Sequence, residues 1–255
     1  MTISVDWLLG FLLILARVAG VLAFLPLPGA SLFPATAKAA VSLLLSVALA
    51  TATETRVVMP PGLWTAAVWM AGEAAFGVSV GLALQLLSEM LGLAAQMLGF
   101  QAGYSYINMI DPSTQVDATI LNVLLTLLGG LLFFAFDLDL HLFRALARSL
   151  ETAPAGTFVP QRAAAQEMVR LGGAVFESAV RLAFPVIALL LLLDLALALM
   201  SFLNARMQLL SLSFPVKMLV TMASLYVIVG MAPGLYRELA RQALGVVHRI
   251  AAGAR

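Results

Sequence analysis

Long apolar runs, separated by prolines and short polar stretches, dominate this chain. Trp7–Leu25 is the first, ended by Pro26 and Pro28, and Ala37–Ala52 is the second and is short. A third starts after Pro60-Pro61-Gly62 and continues to about Phe100. That is far more than the roughly 20 residues one helical crossing needs. A bent helix, or two helices meeting near a glycine, is expected there rather than one straight span. Further runs cover Ile120–Phe136, about Gly172–Phe202 (with Pro185 expected to kink it) and Phe214–Met231. The expected fold class is all-α. It is a polytopic integral membrane protein with about six hydrophobic segments, including long bent or broken helices and helical hairpins.

The third run contains groups that lipid rejects. Glu73, Gln85, Glu89, Gln96 and Gln101 alternate with Gly72, Gly77, Gly81, Gly92 and Gly99. A mid-bilayer carboxylate is costly, so such residues face protein or a water-filled cavity. Small residues four apart, as in Gly77-xxx-Gly81 and Gly99-xxx-Gly103, let helix backbones approach closely. The segment therefore reads as the inside of an assembly or conduit.

Composition agrees. Hydrophobic residues make up 62% of the 255 and charged ones 11%, with a mean hydropathy of +1.04. No soluble domain of this size covers so much apolar surface. The absence of cysteine excludes thiol chemistry and disulfides. The net charge of +1 gives no argument for nucleic acid. The only early charge is Asp6, with no basic stretch before the first apolar run, so that run is expected to be retained rather than cleaved.

Basic residues suggest an orientation. With six crossings, one side holds Arg56, Arg144, Arg148, Arg162, Arg170, Arg237, Arg241, Arg249 and Arg255, and the other holds Lys38 and Arg206. The excess places both termini in the cytoplasm. Residues 1–255 read as a single membrane domain. It has a cytoplasmic-side linker at about 137–171, a plug-like loop at about 100–112 and a basic tail at about 236–255, and Tyr104–Asp117, with two acids and no base, reads as exported. Gln161–Arg170 and the tail have the composition of amphipathic interfacial helices.

No catalytic, cofactor-binding or metal-ligating set is expected. His141 and His248 lie far apart with no acidic or thiol ligands at fixed spacing. Ser88 has no glycine elbow and no histidine nearby. The remaining signal is a set of charges inside apolar runs: Arg17, Glu73, Glu89, Glu177, Arg181, Asp194 and Lys217. Glu177 and Arg181 are four apart, which suits a local ion pair. Glu73 and Glu89 are about 24 Å apart on a helix and cannot pair with each other. Each is either a proton-relay carboxylate, as in a proton-coupled secondary transporter or channel, or a group satisfied by a neighbouring subunit. The surrounding glycines favour the second.

The loop Gly99–Pro112 carries the bulky Phe100, Tyr104, Tyr106, Met109 and Ile110 before the break at Asp111-Pro112. Two readings stand. They are aromatic anchors at a bilayer surface, or an apolar constriction that closes an aqueous path by dewetting.

An ordered series of motifs resembles the FliR family of flagellar biosynthetic proteins, the export-gate subunits of flagellar type III secretion. It starts with Leu15-Ala-Arg17-Val-Ala-Gly20, Pro26 and Pro34, then the Glu73/Gly77/Gly81 helix. Gly99-Phe-Gln-Ala-Gly103 leads into Asp111-Pro112-Ser113, and Ser149 precedes Pro154-Ala-Gly156. Phe184-Pro185, Asp194-Leu-Ala-Leu197 and Phe214-Pro215-Val-Lys217 complete it. No single motif is diagnostic; the order is.

The resemblance implies a non-enzymatic, inner (cytoplasmic) membrane subunit of the flagellar basal body, present once per apparatus. It would assemble with FliP-like and FliQ-like membrane subunits and contact an FlhB-like export component. It would line and close the conduit for unfolded export substrates during flagellum biogenesis. No cofactor and no nucleic acid are implied. The plug would be Tyr104–Ile110, with Phe100 beside it and Tyr106 and Met109 in the bulkiest positions. Helix packing and assembly would fall to Glu73, Gly77, Gly81, Gln85, Glu89, Gln96, Gly99, Gly103, Asp111, Pro112, Asp194, Phe214, Pro215 and Lys217. The chain departs from the family pattern at Asp137-Leu138-Asp139, where Asn-Gly-His is usual. It departs again at Phe202 and Ala205-Arg206, where an arginine and a Pro-Gln pair are usual. These departures leave two branches open, a flagellar protein and its counterpart in a virulence-type injectisome.

Overall fold

A computed structural model of the protein describes residues 5–25, 34–53, 62–104, 120–158, 162–203 and 209–252. Among them there are seven α-helices and no strand. They are α1 (Val5–Ala23), α2 (Ala35–Ala52), α3 (Leu63–Ala102), α4 (Ile120–Ala135), α5 (Leu138–Thr152), α6 (Arg162–Leu203) and α7 (Leu209–Ala252). Five helices are long and apolar enough to cross a membrane. The pair α4 and α5, bent by 57° at its junction, makes a sixth if counted as one span. The chain is an all-α polytopic membrane protein.

The third apolar run is a single 40-residue helix, so the two-helix form expected from its length is not found. Unlike proline, glycine keeps its N–H, so interior glycines need not interrupt the helix ladder. The break lies instead at Asp137, between α4 and α5, where φ is 53° and ψ is 33°. Asp137 is the one non-glycine residue with positive φ among those described, and aspartate is among the few side chains that adopt this region. Its carbonyl accepts from the His141 N–H at 3.0 Å and starts α5.

The linker and the tail also differ from expectation. Much of the linker forms α5, whose Leu142, Leu146 and Leu150 are buried. Arg162–Arg170 forms the first turns of α6, and the tail continues α7 to Ala252, so neither is a separate interfacial helix. Polar, helix-prone residues extend an existing helix without a new nucleation step. Pro185 lies inside α6, and Pro215 and Pro233 inside α7.

The chain divides into two compact units. The first comprises Met1–Leu87, Phe133–Gly173 and Ala240–Arg255. Its core includes Leu13, Ile14 and Val18 of α1, Phe76 and Leu84 of α3, and Val246 and Ile250 of α7. The second comprises Ser88–Leu132 and Ala174–Leu239, with Met90, Leu98, Leu121, Leu182, Leu190 and Ile228 buried.

In the first unit α1 packs on α2. Helix α2 buries Ser42, Ser46 and Ala50 and exposes Val41, Leu43, Leu44 and Val47. The two serine hydroxyls donate back to the carbonyls of Lys38 and Ser42 within the helix. Small residues inward and large apolar ones outward is the arrangement of a helix packed in lipid rather than in water.

Candidate functional site

Two polar clusters are built inside this apolar chain, one in each unit. The first centres on Arg17 of α1 and Glu73 of α3, both completely buried. Arg17 Nε donates to Glu73 Oε2 at 2.5 Å. Its Nη1 donates to Ser149 Oγ on α5 at 3.0 Å, and Nη2 to the Ala153 carbonyl at 3.1 Å. The guanidinium also lies 4.7 Å from the centroid of the Phe76 ring, a favourable cation–π distance. The second carboxylate oxygen of Glu73, Oε1, accepts from the Gly156 N–H at 2.8 Å. Each oxygen of the buried carboxylate thus has a donor, as burial of a charge demands.

Glycines permit this geometry. A Cβ at Gly77 would collide with the Arg17 carbonyl, and one at Gly20 would sit 2.9 Å from the Ala74 oxygen. A Cβ at Gly81 would lie 2.6 Å from the Val21 oxygen. α1 and α3 therefore touch backbone to backbone, which brings the two charged side chains within reach. Gly72 does the same toward the Phe158 carbonyl, 2.8 Å from its would-be Cβ. The turn after α5 closes the cluster: Gly156 has φ of +91° and faces Trp69, and Phe158 meets Phe76 edge-on at 5.1 Å.

The second cluster joins the ends of α3, α6 and α7. Asp194 Oδ1 pairs with Lys217 Nζ at 2.5 Å. Asp194 Oδ2 accepts from Gln101 Nε2 at 3.3 Å. Two residues on, Gly103 has φ of +84°, and a Cβ there would lie 2.7 Å from the Phe214 ring. Both the conformation and the close ring require glycine. Burial raises the pKa of the adjacent Tyr104 phenol above its ordinary value.

Further ion pairs lie on α6 and α7. Glu177 and Arg181 form the expected i,i+4 pair at 2.6 Å. Glu167 of α6 pairs with Arg170 at 3.4 Å and with Arg249 of α7 at 2.9 Å, so an ion pair joins linker and tail.

Glu73, Gly77 and Gly81 thus meet α1, while Gly103, Phe214, Asp194 and Lys217 gather in the other unit. Glu73 corrects one expectation: its partner is Arg17 of the same chain, not a neighbouring subunit, because the glycine crossing brings the two helices close enough. Gln85 is half-buried, and Gly99 is buried. Glu89, Gln96, Phe100 and Pro215 are exposed, the first three on one face of α3 at offsets of seven and four residues. Tyr106, Met109, Ile110, Asp111 and Pro112 lie outside the described residues. Sequence reasoning did not assign a role to Ser149, Gly156, Phe76 or Trp69. Ser149 and Pro154-Ala-Gly156 nonetheless belong to the motif series, which was the signal available.

A model of the family described as bacterial export proteins, family 1, matches residues 8–243. The flagellar biosynthetic protein FliR of Pectobacterium carotovorum subsp. carotovorum is 28% identical over 175 residues, 68% of this chain and 67% of that protein. FliR of Escherichia coli strain K12 is 28% identical over 155 residues, 60% of this chain and 59% of its own length, so the match spans less than two thirds of that relative. FliR of Caulobacter vibrioides is 28% identical over 218 residues, covering 84% of this chain and 85% of that protein.

Proposed function

This chain belongs to the bacterial export proteins, family 1, and on that premise we propose that it is a non-enzymatic membrane subunit of the flagellar protein-export apparatus. In this reading it sits in the inner membrane with both termini in the cytoplasm. It assembles with FliP-like and FliQ-like subunits and an FlhB-like component, and helps line and close the conduit for unfolded export substrates. The match over residues 8–243 carries the reading. The relatives, named as flagellar proteins, favour the flagellar branch over the injectisome one. Pairing of Glu73 with Arg17 and Gly156 speaks against a coupling-ion role for that carboxylate. The exposed Glu89 and Gln96 lie on a face of an apolar helix that, in this reading, partner subunits or conduit water cover.

Purification in mild detergent tests the assembly. The chain is expected to be recovered with two other small membrane proteins in unequal copy number. Recovery alone, or as a homo-oligomer that moves a solute in liposomes, overturns the reading in favour of a transporter.

The loop Tyr104–Ile110 is the plug in this proposal. Joint replacement of Tyr106 and Met109 by glycine is expected to raise ion conductance of membranes holding the closed complex by about an order of magnitude, since an apolar constriction blocks conduction only while it excludes water. Wild-type conductance in an assembled variant refutes the plug.

A further inference from the structure

Four acids and three bases lie inside the apolar runs: Glu73, Glu89, Glu177 and Asp194 against Arg17, Arg181 and Lys217. Each base is engaged by an acid of its own chain, Arg17 by Glu73, Arg181 by Glu177 and Lys217 by Asp194. Glu89 and Gln96 are exposed seven residues apart on one face of α3, a helix long and apolar enough to cross a membrane. Helix α4 packs beside that face. A Cβ on Gly92 would lie 3.7 Å from Glu89 Oε2 and 4.0 Å from Asn122 Oδ1 of α4, so acceptor oxygens from two helices converge on one spot. One turn along α4, the Thr126 hydroxyl donates to the same Asn122 oxygen at 3.4 Å. The surrounding surface is apolar: α4 exposes Val123, Leu124 and Leu127, and Leu93 and Met97 of α3 are half-buried.

We propose that Glu89, Gln96, Asn122 and Thr126 form the docking site for a transmembrane helix of another subunit that presents an arginine or lysine. This rests on the reading of the chain as a subunit of a membrane assembly and names the chemistry of one contact. A carboxylate at this depth is costly against lipid. A wall facing conduit water is polar along its length, whereas here apolar side chains ring the polar ones. That is the make-up of a helix–helix interface with hydrogen-bonding groups at its centre. Converging acceptors, one of them charged, call for a group that only donates, and the side chains of arginine and lysine do only that. The chain's own intramembrane bases are engaged elsewhere, so the base that docks here belongs to another chain.

The test uses the export complex solubilised from membranes in mild detergent, with partner subunits read by co-purification. Glu89→Gln keeps the shape and removes the charge. It is expected to lower the recovered partner by about tenfold or more, because truncating one side of a desolvated charge pair across an interface speeds dissociation. The variant chain itself is expected at wild-type abundance, since Glu89 lies on the surface. A photo-reactive benzophenone side chain at Thr126 is expected to capture a helix of a co-purifying subunit with an arginine or lysine beside the crosslink. Glu89→Lys, combined with that base changed to glutamate, is expected to restore the recovery that either change alone abolishes.

If the wild-type chain is recovered without partners, the assembly reading falls and the contact with it. If wild type and Glu89→Gln recover partners equally, the assembly stands and the basic contact is refuted. Capture of a helix that has no base beside the crosslink assigns the face to apolar packing and overturns the proposal. Labelling of Gln96→Cys in the assembled complex by a membrane-impermeant thiol reagent assigns it to conduit water and overturns it too. Where the Glu89→Gln chain is itself lost from the membrane, the charge exchange decides: restored recovery supports the contact, and its failure refutes it.

Discussion

Arg17→Met is expected to destabilise the protein by about 3–5 kcal/mol, the usual consequence of stripping one partner from a buried ion pair. That is a large part of the about 5–15 kcal/mol by which folded proteins exceed their unfolded forms. The expected result is loss of folded protein from the membrane, measured as the fraction resistant to protease in mild detergent. The effect is large because Arg17 binds three segments at once: Glu73 of α3, Ser149 of α5 and the Ala153 carbonyl in the turn beyond. Removing it leaves a carboxylate with only the Gly156 N–H for company. Glu73→Leu together with Arg17→Met is expected to recover much of the loss, because no unmatched charge then remains. A single Arg17→Met variant as abundant and as protease-resistant as wild type shows that the pair does not hold the unit together.

The helices were legible because twenty-residue apolar runs have few other solutions in a bilayer. Where the runs ended was less legible. Apolar composition marks the part of a helix that lies in lipid, not where its hydrogen bonds stop. The polar residues 162–170 and the tail from Tyr236 therefore looked like separate elements, whereas they continue α6 and α7. The alternative of two helices in the third run failed for a related reason. Glycines concentrated in the third run drew attention to it, but a glycine with another helix against it does not break the ladder, and the αL residue at Asp137 does.

The clusters were half legible. Arg17, Glu73, Asp194 and Lys217 were each recognisable as charges that lipid rejects. Their pairing was not, because Arg17 and Glu73 are 56 positions apart and only the crossing of α1 and α3 joins them. One local sign was present: each of these two charges lies three or four residues from a glycine, Gly20 and Gly77, on the same helical face. A charge beside a small residue marks a place where another backbone comes close enough to answer it. Ser149, by contrast, carries no such mark, since a serine on an apolar helix commonly satisfies itself on a carbonyl of its own turn, as this one does with Leu146.

That crossing yields the second large expectation. Alanine favours a helix interior over glycine by about 1 kcal/mol, so propensity alone makes Gly77→Ala stabilising. Packing reverses the sign. The new methyl would meet the Arg17 carbonyl and lie 3.0 Å from the Arg17 carbonyl carbon and the Gly20 Cα. All three are backbone atoms, which cannot swing aside as the end of a side chain can. Overpacking of this kind costs about 1–3 kcal/mol or more, and separating α1 from α3 also pulls Arg17 off Glu73. Gly77→Ala is therefore expected to lower the unfolding midpoint of the detergent-purified chain steeply. Gly92→Ala, on the same helix, provides the contrast. Its nearest neighbours would be the side-chain oxygens of Glu89 at 3.7 Å and Asn122 at 4.0 Å, ordinary contacts, so propensity prevails and the midpoint is expected to rise. If the two alanines shift it equally, helix propensity and not the α1–α3 approach governs Gly77, and the account of how Arg17 reaches Glu73 fails with it.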